Sequence, residues 1–130
     1  MNSPPINGHT CVVRTTEGKL LTSDEHGIRP PLRWLREDPA LLHDADVLDR
    51  VIGRAAALLF CYGGARSIRA GTMSQPAADF LEAAGVAYAY DTLVPAILNR
   101  EGTGLCPMEQ KALGLDDPAR AFEIFNEMVK

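Results

Sequence analysis

The sequence is short of cysteine, of positive charge and of long apolar runs. Its three cysteines, Cys11, Cys61 and Cys106, are an odd number and have no spacing that forms a disulfide framework. A reduced, cytoplasmic setting is therefore expected. Lysine and arginine number 13 against 17 aspartates and glutamates, for a net charge of −4. Nucleic-acid binding needs a concentrated positive footprint, so nucleic acid is not an expected partner. The longest apolar run, Ala55 to Cys61, falls well below the roughly 20 residues that cross a bilayer, and no membrane span is expected. The N-terminal segment has no basic stretch followed by an apolar core, so no signal peptide is expected. There is no internal repeat, low-complexity stretch or linker. Residues 1–9, with two prolines, read as a loose tail, and residues 10–130 as one domain. An apolar content of 46% and a charged content of 23% suit an ordinary folded core.

What is present is organised around Asp44 to Tyr62. Its second half, from Val51 to Cys61, is apolar on nearly every side except at Arg54. Read as one helix, it would be buried all round, with Asp44 or Asp46 capping its start and Gly63-Gly64 closing it. Before it, Thr10–Arg14 and Lys19–Ser23 read as a β-hairpin turning at Glu17-Gly18. A short helix follows over Leu32–Glu37, after Pro30-Pro31. After the central stretch come a strand at Ser67–Thr72 and a helix over Ala77–Ala84, capped by Ser74 and closed by Gly85. A strand at Val86–Asp91, a short helix from Cys106 to Leu113 and a last helix over Pro118–Val129 complete the chain. The expected order is β-β-α-α-β-α-β-α-α. It implies an α/β fold with a mixed sheet of about four to five strands and helices on both faces.

Chemistry concentrates in Asn99-Arg100-Glu101-Gly102-Thr103-Gly104-Leu105-Cys106-Pro107-Met108-Glu109. Gly102 and Gly104 allow backbone N–H groups to turn toward a ligand, and Asn99 and Arg100 stand beside them. Arg100 suits a bidentate contact to phosphate or carboxylate. The alternative is a tight loop that needs glycine for its own geometry. The spacing is neither a P-loop nor a dinucleotide fingerprint. Cys106, at a helix start, is a candidate nucleophile because that position favours thiolate, with Glu109 or Asp46 as acid/base; the plainer alternative is a packed side chain. Asp46, Asp49, Arg50 and Arg54 fall at helical spacings, either as a ligand-facing row or as surface ion pairs. Arg54, among apolar neighbours, needs a protein carboxylate or a bound anion as partner. Arg29, and Asp91 at a strand end, are further cleft candidates. His9, His26 and His43 are scattered, and no metal site is expected.

Several segments recur in a fixed order: Cys11-Val12-Val13, Gly27-Ile28-Arg29-Pro30, Ala45-Asp46-Val47, Val51 to Leu59, Asp91-Thr92-Leu93-Val94-Pro95, and Asn99 to Glu109. Together they resemble a small prokaryotic family of unknown function with a cytidine deaminase-like fold. The resemblance covers about Thr10 to the C-terminus and implies a three-layer α/β/α architecture. Zinc deaminases carry H-x-E and P-C-x-x-C motifs. The counterparts implied here, Gly53-Arg54-Ala55 and Cys106-Pro107-Met108-Glu109, lack the histidine, the catalytic glutamate and one cysteine. Zinc-dependent deamination is therefore not expected, and no cofactor is. The expectation is a domain that binds a nucleotide or another phosphorylated small molecule. The alternatives are an enzyme using Cys106, and an interaction protein, as a homodimer through the hairpin or last helix.

Overall fold

A computed structural model describes residue 6, residues 8–99 and residues 101–129. It contains five strands and five helices in the order β1 (Cys11–Arg14), β2 (Leu20–Ser23), α1 (Arg29–Glu37), β3 (Asp46–Ile52), α2 (Arg54–Tyr62), β4 (Ser67–Ser74), α3 (Gln75–Ala84), β5 (Ala87–Val94), α4 (Pro107–Ala112) and α5 (Pro118–Met128). The strands form one sheet in the order β2-β1-β3-β4-β5. β1 runs antiparallel to β2 and β3, whereas β3, β4 and β5 are parallel.

The stretch 44–62 is not one helix. Its first half is β3, the middle strand of the sheet, and only its second half is helical. β3 pairs with β1 on one side and β4 on the other, and of the apolar run only Val51-Ile52 belong to it. The extended Gly53, at φ −100° and ψ 177°, separates the two elements. Asp46, Asp49 and Arg50 therefore sit on a strand, and their helical spacings to one another and to Arg54 have no structural meaning. Neither Asp44 nor Asp46 caps α2. Asp44 instead sits at φ 55° before β3, its N–H donating to the Gly64 carbonyl at 2.8 Å. Apart from this added strand, the expected elements are present within a few residues. Ser74 accepts from the Ala77 N–H, Gly85 closes α3 at φ 73°, and Asp117 caps α5.

The three crossovers β2-α1-β3, β3-α2-β4 and β4-α3-β5 step the same way across the sheet. Right-handed connection therefore places α1, α2 and α3 on one face. α2 also touches α4 and α5, and Ala55 to Phe60 are all buried. The helices thus gather on one side rather than on both as expected. On the opposite face, strand alternation puts Asp46, Leu48, Arg69 and Asp91 together. There Arg69 pairs with Asp91, and Arg66 pairs with Asp46.

Candidate functional site

A cavity of about 280 Å³ opens at the carboxyl end of β3, where parallel strands of open α/β sheets present ligand sites. Thr10 and the β3 residues Asp49, Arg50 and Val51 supply its strand side, and Gly53 and Ala56 supply the start of α2. The loop His26-Gly27-Ile28 and the later residues Ile97, Cys106, Met108 and Glu109 complete the wall.

Glu109 holds this wall to the central helix. It is 7% exposed. Its Oε1 accepts the Arg54 N–H at 2.6 Å and its Oε2 accepts the Ala55 N–H at 3.0 Å. Gly53 has no side chain to cap α2, so a carboxylate from α4 satisfies two of the helix's free N–H groups. Burial pushes the Glu109 carboxyl up, while these N–H groups and the Arg54 charge oppose that rise.

Arg54 holds the same region from the other direction. Its side chain is 12% exposed. Nε donates to the carbonyls of Ala112 (3.1 Å) and Leu115 (3.2 Å), and Nη1 donates to that of Pro76 (3.0 Å). Nη2 donates to the Leu115 carbonyl at 2.9 Å and to Asp116 Oδ1 at 2.5 Å. The guanidinium also lies 5.4 Å from the Phe80 ring centre. The partner that Arg54 requires is thus the protein itself, and these donors are not turned toward a ligand.

The loop residues are likewise engaged with each other. The Asn99 N–H donates to the Gly104 carbonyl (2.9 Å) and the Gly102 N–H to the Asn99 carbonyl (3.1 Å). The Thr103 N–H donates to Asn99 Oδ1 at 3.1 Å. Gly102, at φ 71°, serves this turn, so these amides close the loop rather than cradle an anion. Arg100 lies outside the described residues. Asp46 is away from the cavity. It accepts Ser67 Oγ (2.6 Å) and Arg66 Nη2 (2.6 Å), and hydrogen bonding to Arg66 holds its carboxyl low. Arg29 is exposed at the start of α1 and does not line the cavity, although its neighbour Ile28 does. Of the expected site residues, the fold brings Cys106, Glu109 and, from the row Asp46 to Arg54, Arg50 to the cavity.

Asp49 joins them for a reason that a helical reading hides. On β3 its side chain shares the helix-covered face with Val47 and stands opposite Cys11 of β1. It is 6% exposed. Burial raises its carboxyl to about 7, partly offset by hydrogen bonds from the Val51 N–H, the Cys11 thiol and the Arg50 N–H. Burial and the adjacent Asp49 also push the Cys11 thiol far up. A carboxyl raised by folding costs stability as it ionises. Its favourable neutral form is fully present below the unfolded value of 3.8 and is lost as pH rises through about 7. Asp49→Asn is therefore expected to gain stability relative to the wild type as pH rises across that window. Thermal unfolding at several pH values checks this, and parallel curves would refute it.

Among the described residues, no group of three His, Cys, Asp or Glu side chains converges to hold a metal. Both oxygens of Glu109 are already committed to α2, so the donors here do not fit a deaminase-type zinc centre.

A family model for a domain of unknown function, DUF1893, matches residues 6–129. The chain belongs to the DUF1893 family. The fold of this DUF1893 domain is similar to the crystal structure of a DUF1893 family protein from Thermotoga maritima. The TM-score is 0.84 and the identity 24%, over 94% of this chain and 82% of that one. At that identity the likeness speaks for the fold alone. No curated protein matches the DUF1893 chain. No helix among its described residues is long and apolar enough to cross a membrane.

Proposed function

We propose that this DUF1893 domain binds a compact organic molecule in the cavity beside the N-terminus of α2. The observation that carries the reading is the cavity itself, enclosed by apolar side chains such as Ile28, Ile97 and Met108 around the buried carboxyl of Asp49. Apolar walls with a few convergent polar groups are the usual composition of a small-molecule site. The reading extends the resemblance to a cytidine deaminase-like fold, without deaminase chemistry. It also narrows the expected ligand. A nucleotide would enter by its base or nucleoside part and leave its phosphate outside, because the α2 N-terminus already holds Glu109 and the Asn99–Gly104 loop closes on itself.

The test is a titration of the protein with adenosine, cytidine, their monophosphates and ribose 5-phosphate, followed by NMR. Nucleosides are expected to bind about as well as their monophosphates, and ribose 5-phosphate not at all. Met108→Trp, which fills the cavity, should abolish binding. Ribose 5-phosphate binding as well as the nucleotides would reverse the assignment. A second reading, an enzyme with Cys106 as nucleophile, draws on Cys106 and Asp49 lining one cavity. Iodoacetamide reacting at Cys106 much faster than with a free thiol would favour it.

A further inference from the structure

Two carboxyls line the cavity, and they are not equivalent. Glu109 is engaged through both oxygens by N–H groups of α2. Asp49 is as deeply buried but poorly served. The Val51 N–H approaches its Oδ1 at only 3.4 Å, and the other donors are the Arg50 N–H and a thiol, a weak donor. No cation compensates it among the described residues. Arg50, next along the strand, also lines the cavity, but its guanidinium is exposed and turned to the His9 carbonyl, to which Nε donates at 2.9 Å. The Arg54 guanidinium is turned to Ala112, Leu115, Pro76 and Asp116. His26, on the cavity wall, is exposed, and Cys11 brings no positive charge. A buried carboxylate without a cation either keeps its proton or takes a positive partner, and the cavity gives such a partner access.

We propose that the ligand presents a positively charged nitrogen group, such as an amidinium or a protonated amino-heterocycle, to Asp49, with its apolar body against Ala56, Ile97 and Met108. This rests on the cavity reading above and adds the charge of the ligand to it. Asp49 is then the residue that selects for charge. Because burial holds its carboxyl near neutrality, a cation entering at neutral pH ionises Asp49 and releases its proton to solvent. Binding then strengthens as pH rises toward and past that value.

The test uses three probes of one shape and different charge: benzamidine, benzamide and benzoate. Calorimetry with the intact protein, in PIPES and in MOPS at one pH, gives affinity and proton release together. Benzamidine is expected to bind at least about tenfold more tightly than benzamide, with a proton released, and benzoate more weakly than either. Asp49→Asn should remove the roughly tenfold preference for benzamidine over benzamide. If Asp49→Asn does not fold, the wild type carries the same test. Benzamidine affinity rising from about pH 6 to about pH 8 supports the assignment, and a flat or falling profile overturns it. Benzoate binding as tightly as benzamidine, or a preference that survives Asp49→Asn, overturns the charge assignment but leaves the cavity reading standing. Failure of all three probes and of the nucleosides overturns both.

Discussion

Replacing Gly53 by alanine is expected to destabilise the domain by about 3 kcal/mol, although the backbone there is open to any residue. Gly53 is extended, at φ −100° and ψ 177°, so conformational freedom is not the reason for glycine. Space is: a Cβ would lie 2.3 Å from Glu109 Oε1 and 2.4 Å from its Cδ. The carboxylate would have to leave, and the N–H groups of Arg54 and Ala55 would lose their acceptor in a buried site. Thermal denaturation should show a fall in Tm of roughly 10 °C for a chain of this length. The double variant Gly53→Ala with Glu109→Ala separates the causes. With no carboxylate to displace, alanine at 53 should cost far less, giving a coupling of at least about 1 kcal/mol. A cost that stays the same without Glu109 would show that the contact is not its source.

Arg54→Met is the other large effect, expected to cost about 2–4 kcal/mol. Methionine keeps much of the stem that crosses the apolar surface near Phe80 but donates to none of the carbonyls of Pro76, Ala112 and Leu115. Asp116→Asn should cost no more than about 0.5 kcal/mol, because Asp116 is 93% exposed and its ion pair is correspondingly weak. Chemical denaturation of both variants checks the contrast. If Asp116→Asn proved as costly as Arg54→Met, the ion pair would carry the clamp instead of the carbonyls. Glu109 and Arg54 act in opposite directions across one contact. The carboxylate from α4 reaches the N–H groups that begin α2, and the guanidinium from α2 reaches carbonyls at and beyond the end of α4. Cys106 and Met108 form cavity wall because α4 is held in this way.

Much of this frame is legible along the chain because it is local. Ser74, Gly85, Asp117 and the prolines near the starts of α1, α3, α4 and α5 act within one turn of their own positions. β3 is different. Asp46, Asp49, Arg50 and Arg54 fall at spacings of three and four, and the alanine-rich run after them is helical, so the helical pattern extends backwards too far. Only the pairing of Asp46–Ile52 with β1 and β4, which are distant in sequence, makes it a strand. That error conceals Asp49. As a strand residue it turns inward beside Val47 and meets Cys11, whereas on a helix it falls in a row with Asp46, Arg50 and Arg54 that faces either a ligand or solvent. Arg54's need for a partner is visible in its apolar setting, but the partners lie more than twenty residues away. Glu109 is conspicuous next to Cys106. Its task as the cap of α2, 54 and 55 residues distant, depends on tertiary structure.

Whether the cavity is where ligands bind is read most directly by amide chemical-shift mapping of the isotope-labelled protein during the nucleoside and benzamidine titrations. Shifts should concentrate at Thr10, Gly27, Asp49, Val51, Gly53, Ala56 and Cys106, residues that line the cavity, and should vanish in Met108→Trp. Shifts centred on α5, or on the charged sheet face around Arg69 and Asp91, would contradict the assignment of the site.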